Sequence, residues 1–138
     1  MTGYDTNLAS EFYVLSCLHR IGLTANLTLG NKKGVDIVVV RRAGDAVTVE
    51  VKAGAKKNDW PVNTLSSPHP ERHFIVLVSY EGRIDDHSMP APRTWVIPFI
   101  EISSFVRNYA AGRMNTVSRS DILKRGGAYE NAWGLIDP

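Results

Sequence analysis

Between Gly34 and Gly54 the chain reads GVDIVVVRRAGDAVTVEVKAG, a pattern that fits one local structure well. Side chains of a β-strand alternate between its two faces. Val35, Ile37 and Val39 share one face, and so do Val47, Val49 and Val51 on a second strand. Asp36, Val38 and Val40 take the opposite face, with Ala46, Thr48, Glu50 and Lys52. Arg42-Ala43-Gly44 suits a three-residue hairpin loop with Gly44 in the left-handed conformation. That closure sets Arg41 opposite Asp45, Val38 opposite Thr48 and Asp36 opposite Glu50. It gathers six β-branched residues on one buried face and Asp36, Glu50 and Lys52 on the other. A slip of one residue would drive the charges into the core, so the apolar pattern pins the register.

Two carboxylates facing each other on neighbouring strands repel. Lys52 relieves that repulsion, and a divalent cation relieves it better. Hard cations such as Mg²⁺ take oxygen ligands, commonly one or two carboxylates with waters and substrate phosphate. The plainer alternative is a solvated surface ion cluster. The shared face and the strand context favour a site.

A Gly-x-Asp strand, a turn and a strand ending Glu-Val-Lys resemble the PD-(D/E)xK nuclease superfamily. The chain is similar in particular to archaeal Holliday-junction resolvases and PD-(D/E)xK homing endonucleases. The resemblance spans roughly residues 6–100 and is firmest at Asp36, Glu50 and Lys52 with the preceding helix. Val35 stands where the motif's name has Pro. The resemblance implies an α/β, restriction-endonuclease-like three-layer domain, with a central mixed β-sheet flanked by helices. It implies a metal-dependent endonuclease hydrolysing phosphodiester bonds in DNA. Asp36 and Glu50 would hold Mg²⁺, or Mn²⁺, and Lys52 would orient water or stabilise phosphate charge. Glu11, on the first helix, would add a metal ligand. Nucleases of this type often act as homodimers or higher homo-oligomers.

The periodicity predicts a helix over residues 6–21, capped by Asp5 or Thr6 and stopped by Gly22. Its core stripe is Leu8, Phe12, Leu15 and Leu18, with Glu11 at the stripe's edge. Residues 25–29 form a short edge strand. Gly30 to Gly34 is a basic loop in which Lys32 and Lys33 are candidate phosphate contacts. Residues 53–72 carry too many breakers for a long helix, with an extended piece over 60–65. Lys56, Lys57 and Trp60 are the candidate nucleic-acid contacts there, cations for phosphates and an aromatic for a base. Trp60 is equally readable as a core anchor. His69 and His73 flank Pro70, which argues against the helix that would align them on a metal. Residues 73–80 form a strand buried on both faces, 94–98 another strand, 100–110 a helix and 118–124 a short helix. The chain closes with Trp133 and Leu135 docked on the body. This order gives one α/β layered domain with a mixed sheet over residues 1–138.

With 138 residues and 43% hydrophobic content the chain can bury a real core. A net charge of +2 is compatible with nucleic acid without demanding it. The lone Cys17 excludes an internal disulfide and a multi-cysteine zinc site. No stretch approaches the ~18–20 apolar residues of a membrane span, and no signal peptide opens the chain. The expectation is a cytoplasmic protein. No nucleophile elbow and no P-loop appears. The competing class is a non-catalytic DNA-binding or assembly module that keeps the fold. A fold-only relic has no need of a repelling carboxylate pair, so the four charged positions favour the nuclease.

Overall fold

A computed structural model describes residues 2–28, 34–63 and 65–138. Helix α1 (Gly3–Arg20) begins earlier than its apolar pattern suggests. The Thr2 hydroxyl accepts the Asp5 N–H at 3.2 Å while the Asp5 carboxylate accepts the Thr2 N–H at 2.9 Å. This reciprocal capping box satisfies orphan amides of the first turn. Gly22, at φ +85°, follows the C-terminal end.

The buried stripe of α1 differs from the predicted one. Thr6, Ser10, Val14, Cys17 and Leu18 face the sheet, whereas Phe12 is 53% exposed. Small residues let the helix sit close to the strands. Ser10 can be buried because its hydroxyl donates to the Thr6 carbonyl at 2.7 Å.

Beyond α1 come strands β1 (Thr24–Leu27), β2 (Ile37–Val40), β3 (Ala46–Gly54), β4 (Trp60–Val62), β5 (His73–Ser79) and β6 (Arg93–Pro98). Helix α2 (Phe99–Ile102), strands β7 (Val106–Arg107) and β8 (Asn115–Val117), and helix α3 (Arg119–Arg125) complete the fold. The central sheet runs β1-β2-β3-β5-β6, with β3 and β5 parallel and the other pairs antiparallel. It is therefore mixed, with β1 at an edge, as the sequence predicts. A smaller antiparallel sheet, β4-β8-β7, is separate from it.

Two apolar clusters are divided by the central sheet. Val14 and Leu18 of α1 pack with Ile37, Val39, Val47, Val49, Val76 and Val78. The alternate residues Ile75, Leu77, Trp95 and Ile97 pack with Trp60, Val117 and Ile122. Strand β5 is thus buried on both faces, as its continuous apolar run predicts. The predicted helix over 100–110 is replaced by α2, a 3₁₀ turn at Ser103–Phe105 and β7. Ile102 and Phe105 are buried nonetheless, but Val106 and Arg107 pair with β8, and that ladder ends the helix. At the C-terminus Ile136 is fully buried and Trp133 packs on the core, while Leu135 is 40% exposed.

Candidate active site

The hairpin register holds where the side-chain alternation fixes it. Val38 pairs with Thr48, Ile37 with Val49, and the Arg41 N–H reaches the Asp45 carbonyl at 2.8 Å. Gly44 takes φ +96° in the loop. The ladder then departs from the predicted geometry at Asp36. Its N–H donates to the Val49 carbonyl at 2.9 Å, one residue out of register, and β2 ends at Ile37. Asp36 is therefore not the ladder partner of Glu50. Its Oδ2 instead accepts the Val51 N–H at 2.7 Å, so a side chain does the work that the departing backbone would have done. Gly34, at φ +78°, turns the chain into this segment.

The splayed end of the hairpin opens a recess of about 380 Å³, lined by Asn7, Glu11, Asp36, Glu50, Lys52 and Pro61 among others. Helix α1 delivers Glu11, the segment before β2 delivers Asp36, and β3 delivers Glu50 and Lys52. All four predicted residues reach one recess.

Their charges are strongly coupled. Burial pushes the Glu11 carboxyl up from its ordinary range, and the adjacent Asp36 carboxylate adds to the rise. Burial also pushes Asp36 up, and Glu50 adds to it, against the downward pull of the Val51 N–H, Lys52 and a hydrogen bond shared with Glu11. Glu50 goes the other way. Burial acts to raise it, but the His73 ring and the Lys52 ammonium outweigh burial and hold it low. Lys52 Nζ lies 3.0 Å from Glu50 Oε2, and His73 Nε2 lies 3.8 Å from Glu50 Oε1.

The donor set suits a hard cation: three carboxylates around one pocket, two of them made costly to ionise chiefly by burial. Among the described residues no three His, Cys, Asp or Glu side chains are already drawn together as a metal-binding group. The recess therefore carries its acids around its wall, with Glu50 held to Lys52, and is not a finished cage. That arrangement fits Mg²⁺, which keeps several waters and is commonly held by only one or two carboxylates together with substrate phosphate.

The raised Glu11 carboxyl, buried beside Asp36, has a measurable consequence in EDTA. A carboxyl whose folded value is raised makes the folded state hold its proton more tightly than the unfolded state does. The cost of ionising Glu11 is absent at low pH, appears as pH climbs past about 4, and grows through the raised range. Glu11→Gln removes it. The variant is expected to melt above the wild type at pH 7 and to converge with it near pH 3. A lower melting temperature at pH 7 would mean that ionised Glu11 is not costly in the folded state.

Other predicted contacts fare differently. Lys56 and Lys57 are exposed at the end of β3. Lys32 and Lys33, with the rest of 29–33, lie outside the described residues. Trp60 is corrected: it is 1% exposed, donates Nε1–H to the Val78 carbonyl at 3.1 Å and meets Trp95 edge-on at 5.6 Å. A ring so enclosed cannot stack on a base, and it serves as an anchor between the two sheets. The sequence reading missed Asn7 and His73. Asn7 lies one turn before Glu11, a spacing visible in the sequence. His73 meets Thr48 only through the parallel β3–β5 register, which no local pattern reveals.

No family model and no curated protein matches the chain. Among solved structures it is similar to a bacterial homing endonuclease, I-Ssp6803I, at a TM-score of 0.58 and 18% identity. The match covers 98% of this chain and 91% of that one. At that identity the likeness establishes the fold alone, a mixed α/β fold shared with that endonuclease; in this chain the central five-stranded sheet carries the recess at the β2–β3 hairpin. No helix among the described residues is long and apolar enough to cross a membrane.

Proposed function

We propose that this protein is a metal-dependent endonuclease of the PD-(D/E)xK type, hydrolysing phosphodiester bonds in DNA. The observation that carries the reading is the convergence of Glu11, Asp36, Glu50 and Lys52, from three separate segments, on one recess. The nuclease fold of the structural neighbour supports it. Asp36 and Glu50 would hold Mg²⁺ or Mn²⁺, with Glu11 completing the acidic wall. A divalent cation, when bound, acidifies water and draws charge from a phosphate oxygen.

The chain's own groups do the rest. Lys52 is a compact ammonium that sits two residues from Glu50 on the same face of β3. From there it can donate to a phosphate oxygen as charge grows on it. Exposed Lys56 and Lys57 supply cations for phosphates of the same strand, as would Lys32 and Lys33. Cutting both strands calls for two such recesses, so the proposal includes a homodimer or higher homo-oligomer. It also places the protein in the cytoplasm.

The test is incubation with linear, nicked and four-way-junction DNA in Mg²⁺, Mn²⁺ or EDTA, beside Asp36→Asn. Cleavage that needs the cation and fails in the variant is the expected result. Binding without cleavage in every metal condition would instead assign a non-catalytic DNA-binding module on a nuclease fold.

A further inference from the structure

His73 is 2% exposed, yet its Nε2 has no hydrogen-bond partner among the described residues. Buried polar atoms are almost always satisfied, so one left open in a strand at the core's edge calls for a reason. The other ring nitrogen is firmly held: Nδ1 lies 2.6 Å from the Thr48 hydroxyl, and the ring packs on Phe99 at 5.3 Å. Glu50 Oε1 lies 3.8 Å from Nε2, too long for a hydrogen bond but close enough for an ionic contact.

The proton's place follows from the neighbours. Glu50 is ion-paired to Lys52 through Oε2 at 3.0 Å, so Oε1 is a carboxylate oxygen that a ring lone pair would repel. The tautomer that suits both sides carries its proton on Nε2 and accepts at Nδ1 from the Thr48 hydroxyl. Thr48 thereby sets which nitrogen faces Glu50.

The two oxygens of Glu50 therefore have different neighbours. Oε2 pairs with Lys52 at 3.0 Å, and Oε1 faces the His73 Nε2–H. A cation entering the recess competes with Lys52 for Oε2. We propose that His73, set by Thr48, is a positioning residue that holds Glu50 Oε1 as Oε2 passes from Lys52 to a divalent cation. This rests on the metal-dependent reading above. Outer hydrogen bonds to ligating carboxylates commonly fix their orientation. In this protein the device would also free Lys52 toward the substrate at the moment the cation arrives.

Titration calorimetry of the full chain with Mn²⁺ alone tests it, without recourse to cleavage. Two amides separate the two ring nitrogens: a Gln side chain reaches the place of Nε2, and an Asn side chain reaches only that of Nδ1. His73→Asn and Thr48→Val are expected to weaken Mn²⁺ binding about 10–100-fold. His73→Gln is expected to stay within about threefold of the wild type, well short of that outer-partner loss. Melting temperatures in EDTA are recorded alongside. Should His73→Asn fail to fold, Thr48→Val, which keeps the side chain's shape, carries the comparison with His73→Gln.

Equal losses in the Asn and Gln variants would show that the ring only packs, and overturn the proposal. So would wild-type affinity in Thr48→Val and His73→Asn while Asp36→Asn abolishes binding; that pattern leaves the metal-dependent reading intact. A wild-type protein that takes up no Mn²⁺ removes both.

Discussion

Lys52→Ala is expected to fold, to bind Mn²⁺ at least as tightly as the wild type, and to cleave DNA about 10²–10⁴-fold more slowly. Each part has its own reason. Lys52 is partly exposed and its ion-pair partner is Glu50 on the same strand, so truncation opens no cavity in either apolar cluster. The same ion pair competes with a cation for Glu50 Oε2, so losing the ammonium cannot weaken cation binding by that route. What disappears is the donor to the reacting phosphate. Single-turnover cleavage at saturating Mn²⁺, with calorimetry in parallel, separates these effects. A rate within tenfold of the wild type would remove Lys52 from the chemistry. A lost rate accompanied by lost Mn²⁺ binding would mean that Lys52 only shapes the recess.

Trp60→Ala is expected to cost about 3–5 kcal/mol, the range for emptying a buried aromatic site. In a chain of this length that corresponds to a fall of roughly 10–20 °C in melting temperature. The indole is enclosed between the two sheets, and its removal takes the side-chain donor from the Val78 carbonyl and the edge-on partner from Trp95. Trp60→Phe keeps much of the packing and costs less, about 0.5–1.5 kcal/mol for the lost hydrogen bond. Thermal unfolding by circular dichroism reads both. An unmoved melting temperature with lost DNA affinity would restore Trp60 as a contact residue.

The sequence made the hairpin legible because a two-residue period, a loop of suitable length and a left-handed glycine all agree. Those constraints reach as far as Ile37 and Val49 and then stop. At Asp36 the backbone is no longer held by apolar alternation, and the one-residue departure there depends on a side-chain hydrogen bond to Val51. Convergence of Glu11 with Asp36 follows from no local pattern and is expected only through the family resemblance, which gives the first helix a metal ligand.

The face of α1 was misjudged because large apolar residues were taken to mark it. Thr6 and Ser10 are buried through bonds to their own preceding turn, a solution that hydrophobicity does not report. The β4-β8-β7 sheet joins Trp60 to Val117 across the chain, so apart from β4, which falls within the extended piece predicted over 60–65, its strands have no local signature. For the same reason Val106 and Arg107 read as helix.

The parallel pairing of β3 with β5 has a kinetic consequence. Asp36 and Glu50 come together through a hairpin of near neighbours, whereas Thr48 and His73 meet across a separation of 25 residues. Closing that longer loop is entropically slower. On loop length alone, a refolding chain is expected to bring Asp36 and Glu50 together before the imidazole arrives to restrain Glu50. The hairpin's local negative charge would then precede its geometric order.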